Sequence, residues 1–186
     1  MILFASEARI YFDQIAQQFE LTCVLSNDRQ VLYRNDNVFL AVNFDNGRSF
    51  ELGIEIGLEV EPRRAFSLAE ILRLRNVSDE KVDGLMASDV SKLRSALAFL
   101  ADLTLGHASD FLSGDTVSFA QITKLRERES KNYAHERDLH FARAKSEVAW
   151  AKKLYPDVVS ALTPIEQYLS PAEMKRLIYA RNHSQS

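Results

Sequence analysis

NVFLAVNFDNGRSFELGIEIGLEVE, residues 37–61, decides the fold class, because its apolar side chains fall on every second position. Phe50, Leu52, Ile54, Ile56, Leu58 and Val60 take one face of a strand, and Glu51, Gly53, Glu55, Gly57 and Glu59 take the other. A period of two over that length marks a half-buried strand, with its apolar face on a core and its acidic face turned away. In the strand before it, Val38, Leu40, Val42 and Phe44 form the core side. Parity then limits the pairing, since residues opposite each other across an antiparallel pair point to the same side of the sheet. A two-residue Asn46-Gly47 loop would set Val42 opposite Glu51 and mix core with solvent. A three-residue loop, Asp45-Asn46-Gly47, sets Val42 opposite Phe50, Leu40 opposite Leu52 and Val38 opposite Ile54. The expected turn is type I with Gly47 left-handed as a bulge. Phe39 then lies across from Gly53 on the outer face, where an aromatic ring can cover a glycine.

Upstream, Ser6 is placed to cap a helix running to about Gln18, with Ala8, Tyr11, Phe12, Ile15 and Phe19 on its apolar face. Strands follow at Leu21–Leu25 and Gln30–Arg34, separated by Asn27-Asp28 and joined to the central hairpin by Asn35-Asp36. In the second of these, Val31 and Tyr33 compete with Leu32 for the core. Downstream of Pro62 the signals turn helical. Ser67-Leu68-Ala69-Glu70 is a capping box with Phe66 and Ile71 as its staple, and that helix should end near Arg75. A short helix is expected at Asp79–Ala87, weakened by Gly84. Ser88 or Asp89 then caps a helix carrying Val90, Leu93, Leu97, Leu100 and Thr104, with Gly106 as its stop. That helix is expected to meet the core side of the sheet.

From Thr116 a helix begins with Phe119, Ile122 and Leu125, and its apolar pattern lapses over Arg126–Asn132. Beyond the lapse Ala134, Phe141, Val148 and Tyr155 recur every seven residues, with Ala144 and Ala151 between them and Arg137 breaking the first small position. That is a short coiled-coil-like seam, and it offers a route to a homo-oligomer through the 134–155 helix. Pro156 should stop this helix, Asp157–Leu169 makes another interrupted at Pro164, and Ser170-Pro171-Ala172-Glu173 is a second capping box. Its helix runs to about Arg181, with His183 to Ser186 frayed. The expectation is therefore an α+β fold. A four-stranded antiparallel meander sheet is packed by helices on one face, residues 1–130, and followed by a helical C-terminal subdomain or arm, residues 131–186.

A chain of 186 residues with 46% hydrophobic and 26% charged residues can bury a core without staples. One cysteine, Cys23, excludes an internal disulfide and a cysteine-based metal cluster, and fits a reducing, cytoplasmic setting. Met1-Ile2-Leu3-Phe4 is too short for a membrane span and lacks the basic start of a signal peptide. The net charge of -3 is unevenly spread. Residues 1–66 carry 6 basic and 10 acidic groups, residues 67–120 carry 5 and 8, and residues 121–186 carry 12 and 8. An acidic sheet thus precedes a basic C-terminal part.

Glu51, Glu55 and Glu59 stand about 13 to 14 Å apart along a strand, given roughly 3.4 Å per residue. That is too far for a catalytic acid–base pair, whose carboxyls lie about 5 to 10 Å apart, and too far for shared metal ligation. His135 and His140 are five residues apart and point away from each other on a helix, so they make no zinc pair. His107, Asp110 and Asp115 form the one polar loop cluster suited to acid–base chemistry, and a capping and turn role explains them better. The six glycines form no phosphate-binding pattern. No enzyme, cofactor or metal is expected. Lys124 to Lys153 carries nine basic and five acidic groups with Tyr133, His135, Phe141 and Trp150 among them. Lys124, Arg126, Arg128, Lys131, Arg137, Arg143 and Lys145 are accordingly candidates for contact with nucleic acid.

Arg48-Ser49-Phe50-Glu51-Leu52-Gly53-Ile54, then Phe66-Ser67-Leu68-Ala69-Glu70-Ile71-Leu72, then Phe111-Leu112-Ser113-Gly114-Asp115 ahead of Phe119 form a series. Over residues 6–130 it resembles uncharacterised small bacterial proteins of the immunity type. That resemblance implies a protein found near polymorphic or contact-dependent toxins, protecting the producing cell by binding the toxin, with no catalytic residues. Residues 131–186 lie outside it. The expected function is an immunity or antitoxin-type protein that neutralises a basic cognate toxin by surface occlusion through Phe39, Glu51, Glu55 and Glu59. The alternative is a nucleic-acid-associated regulator using the basic C-terminal helices.

Overall fold

The computed structural model describes residues 3–60, 63–79 and 82–184. Glu61, at the end of the deciding stretch, lies outside them, as do Pro62, Met1-Ile2, Gln185-Ser186 and two residues of the short helix expected at Asp79–Ala87. The chain forms two compact units, Met1–Arg126 and Glu127–Ser186, and the division falls inside one long helix.

The first unit is α+β. Helix α1 (Phe4–Gln18) precedes strands β1 (Thr22–Ser26), β2 (Gln30–Arg34), β3 (Val38–Phe44), β4 (Leu52–Leu58) and β5 (Arg64–Ser67). Helices α2 (Leu68–Leu74), α3 (Val90–His107), α4 (Ser109–Leu112) and the start of α5 (Thr116–Ala151) follow. The sheet is an antiparallel meander of five strands in chain order, not four. The extra strand is β5, whose last residue is also the cap of α2, so the capping box hides it in the sequence.

The β3–β4 hairpin keeps the expected parity and loses the expected register. Val42 faces Ile54, Leu40 faces Ile56 and Val38 faces Leu58, a slip of four residues. An even slip keeps every side chain on its face, so hydrophobic pattern alone does not detect it. The loop is longer because the Asp45 carboxylate accepts hydrogen bonds from the Gly47 N–H, the Ser49 N–H and the Ser49 hydroxyl. It is closed by Asp45 N–H to Glu51 O and Phe50 N–H to Asp45 O. The left-handed residue is Phe50 (φ 55°), not Gly47. Phe39 does face a glycine, but it is Gly57 rather than Gly53.

On the core side of the sheet, Val31 and Tyr33 rather than Leu32 are buried in β2, together with Leu40, Val42, Ile54, Ile56 and Phe66. Helix α1 lies on β1, β2 and β3 with Phe4, Ala8, Phe12 and Ile15, and Phe4 stacks on Phe44 at 5.2 Å. The Tyr33 hydroxyl donates to Asp13 at 2.8 Å and ties β2 to α1. Helix α3, expected against the sheet, packs on α1, α2 and α4 instead. Its Arg94 forms a two-pronged pair with Glu7 of α1 at 2.7 and 2.8 Å.

Several helix ends differ from expectation. Ser6 does not cap α1; it sits in the first turn and its hydroxyl donates back to Leu3 O. The helix expected at Asp79–Ala87 gives way to a turn around Gly84 (φ 69°) and an isolated bridge between Met86 and Glu51. Asp89 caps α3, which runs through Gly106 to His107.

In the second unit the rest of α5 is followed by α6 (Tyr155–Leu162), a 3-10 segment (Thr163–Tyr168) and α7 (Pro171–His183). Pro156 stands in the first turn of α6, where its missing N–H costs nothing, and Lys153 (φ 57°) makes the reversal after α5. Ala149, Val158, Leu162, Ile165, Leu177 and Ala180 form the core. Helix α5 turns Leu139, Ala142, Ser146 and Ala149 towards it, so Phe141 and Val148 of the expected seam lie exposed on another face.

Candidate functional site

The outer face of the sheet carries a ladder of polar side chains. Gln30 of β2 donates to Asn43 of β3 at 2.8 Å, and Asn43 donates to Glu55 of β4 at 3.2 Å. Glu55 is opposite Ser67 of β5. At the hairpin end this ladder runs into a hollow of about 360 Å³, lined among others by Asn43, Asp45, Glu51, Gly53, Glu55 and Asp83. Four of its side chains are carboxylates. Glu51 reaches it from the bridge to Met86, and the same bridge holds the Val82–Gly84 turn with Asp83 against the hairpin. Hydrogen bonds from the Gly47 N–H, then from the Ser49 hydroxyl and N–H, hold the Asp45 carboxyl below the usual carboxylate range.

No cation pairs with these four carboxylates among the described residues. Elsewhere in the same unit Glu7, Asp13, Glu59, Glu70, Asp79, Asp89 and Asp110 each meet an arginine or a lysine. A concave, fourfold acidic surface with a fixed anion on its wall is suited to receive a guanidinium or ammonium group.

The structure separates the residues expected to act together. Glu51 and Glu55 are exposed and line the hollow. Glu59 lies just past the end of β4 by Thr22, Arg34 and Asp36, paired with Arg63. Phe39 is only 3% exposed; Gly57 backs its ring and the Arg63 guanidinium lies 4.3 Å from its centre. Its ring is thus part of the packed outer face and not displayed. Asp45 and Asp83 belong to the hollow and were missed, because both stand in turns where an aspartate reads as a turn residue.

The basic candidates on α5 also divide. Arg126 pairs with Glu70, donates to Ala65 O and covers Phe66 at 4.2 Å. Arg143 binds Glu173 and Tyr168 O, and Arg137 meets Asp138. Lys124, Arg128, Lys131 and Lys145 are exposed and make no ion pair among the described residues. At the loop after α3, Asp115 caps α5 by accepting from the Ser118 N–H at 2.9 Å, and Asp110 accepts from Arg75 and the Ser118 hydroxyl. Both carboxylates therefore have structural work, as a capping segment requires. Among the described residues no group of three or more His, Cys, Asp or Glu side chains is placed to hold a metal, and no helix is long and apolar enough to cross a membrane.

Comparison with known proteins finds no family model that matches the chain, and no curated protein or solved structure similar to it.

Proposed function

We propose that this chain is a binding protein of the immunity or antitoxin type, and that its acidic hollow receives basic side chains of a protein partner, occluding the surface that carries them. The observation that carries this reading is the convergence of Asp45, Glu51, Glu55 and Asp83 on one concavity with no cation of the described chain to neutralise them. A partner that acts on an anionic substrate presents a basic surface, and an acidic face both mimics that substrate and speeds encounter.

The test is capture from an extract of the source cells by the full chain and by Glu51→Lys/Glu55→Lys. Both positions are exposed, so the variant keeps the fold. A stoichiometric basic protein is expected on the parent chain and released by salt, with affinity lowered about tenfold or more by the reversal. Equal capture by both proteins removes the hollow from the binding surface. A second reading, association with nucleic acid, is favoured by the exposure of Lys124, Arg128, Lys131 and Lys145, which make no ion pair among the described residues. It requires binding that falls steeply with salt, and the absence of any complex with duplex or single strand at low salt ends it.

A further inference from the structure

The face of α5 turned away from the second unit's core carries Ala134, Arg137, Phe141, Ala144, Val148 and Ala151, at alternating spacings of three and four. Phe141 is 63% exposed and Val148 58%, and Tyr133 beside Ala134 is 71% exposed. Large apolar side chains spaced by seven, exposed and outside the second unit's described core, make half of a helix pair.

We propose that the other half is the same face of a second copy, running antiparallel. Charge selects both occupant and direction. In a parallel pair Arg137 would face Arg137 inside the seam and His140 would face Lys145, leaving Glu147 with Lys152 as the attractive flanking pair. In the antiparallel pair centred between residues 142 and 143, Phe141 packs beside Ala144 of the second copy, large against small, and Ala134 beside Ala151. Asp138 then faces Lys145 of the second copy, and Glu147 faces His140, each pair occurring twice by symmetry. These charges are available. Lys145 and Glu147 make no ion pair among the described residues, and Asp138 meets only its neighbour Arg137, with both side chains more than half exposed. Arg137 lies over Val148, its stem on the apolar seam and its head in water. The one like-charged meeting, Lys131 with Lys152, falls at the ends, where long side chains splay apart. A seam of eighteen residues, Ala134 to Ala151, is about 27 Å long at roughly 1.5 Å per residue. It falls at the small end of specific interfaces, so the pair is weak and forms with concentration.

Sedimentation equilibrium of the full chain tests it. The mass is expected to rise from 21.2 kDa towards twice that value, with a Kd on the order of 10 µM. Phe141→Glu/Val148→Glu should weaken association at least about 30-fold, and Asp138→Lys and Lys145→Asp alone about fivefold each. The double exchange Asp138→Lys/Lys145→Asp should return to within about twofold of the parent, since only the antiparallel pair sets these positions opposite each other. Unchanged Trp150 fluorescence and far-ultraviolet dichroism confirm the fold of each variant, and the double exchange decides the matter if the glutamates disturb it. A chain that stays monomeric up to about 300 µM, dimers that survive both glutamates, or an exchange that fails to restore association would each overturn the proposal.

Discussion

Around Phe12, Leu40 and Leu100 the first unit buries side chains from the sheet and from α1 to α5 in one continuous core. Among the described residues the second unit buries only Ser146, Ala149, Val158, Ala161, Leu162, Ile165, Leu177 and Ala180, and rings and ion pairs frame them. Trp150, Tyr155 and Tyr179 meet edge to face at 5.5 to 5.9 Å, Arg143 binds Glu173 at 2.9 Å, and Arg181 binds Glu166 at 2.7 Å. The contrast teaches where each draws stability: area removed from water in the first, polar fastening of short helices in the second. It also yields separate reporters, because the sheet lies wholly in the first unit and the sole tryptophan, Trp150, in the second.

Core truncation breaks or sharpens this contrast most. Phe12→Ala should cost about 3 to 5 kcal/mol and shift the urea-induced loss of the sheet's dichroism, leaving the Trp150 fluorescence transition in place. Leu177→Ala should cost about 2 to 4 kcal/mol and shift the Trp150 transition instead. If either substitution moves both transitions together, the chain is one cooperative body and the contrast fails.

A smaller effect separates two glycines of β4. A Cβ on Gly57 would fall 2.1 Å from Arg64 O and 2.6 Å from the Phe39 ring, whereas one on Gly53 meets nothing within 4 Å. Gly57→Ala should therefore cost about 1 to 3 kcal/mol, because backbone has to move. Gly53→Ala should stay within about 0.5 kcal/mol. Urea midpoints read from the sheet signal compare them directly. Equal values would mean that β5 yields to a methyl group and does not clamp Phe39.

These two glycines show what the residues themselves disclose. Alternation from Val38 to Leu58 names the faces, because period two is local; it does not disclose register, because a shift of four preserves it. The shift comes from Asp45 closing a longer loop on Ser49 while Phe50 takes the left-handed turn, and Asn46-Gly47 carries the stronger turn signal. In α5 the recurrence of Ala134, Phe141 and Val148 is sound as a pattern and silent about what covers it. The chain's own core takes the face of Ala142, Ser146 and Ala149, small enough for close helix approach yet barely apolar. For the acidic hollow, Glu51 and Glu55 are evident from the strand, but Asp45 and Asp83 arrive through turns, and no periodicity brings turns together.

The finest comparison is between the two capping boxes, which repeat one chemistry in both units. Ser67 accepts from the Glu70 N–H and Glu70 accepts from the Ser67 N–H; Ser170 and Glu173 do the same. Ser67→Ala and Ser170→Ala should each cost about 1 kcal/mol, a larger share of the second unit's stability than of the first's. Acid separates the partners further. Burial pushes the Glu70 carboxyl up, but the Arg126 guanidinium and the Ser67 N–H outweigh it and hold it below the ordinary value. The Ser170 N–H, with the Ser170 hydroxyl and Arg143, holds Glu173 below it against the opposing effect of burial. A carboxyl depressed in the folded state contributes stability that is complete above its unfolded pKa, and that is lost as pH falls through the folded one. Between neutral pH and about pH 3 the Trp150 transition should therefore move to lower urea. Glu173→Gln keeps an acceptor for the Ser170 N–H and removes the titration, so it should shrink that movement while leaving the sheet's acid response unchanged. Should the movement persist in full, the acid-sensitive fastening of the second unit is the Glu166–Arg181 pair, whose carboxyl is also depressed, chiefly by its hydrogen bond from Arg181.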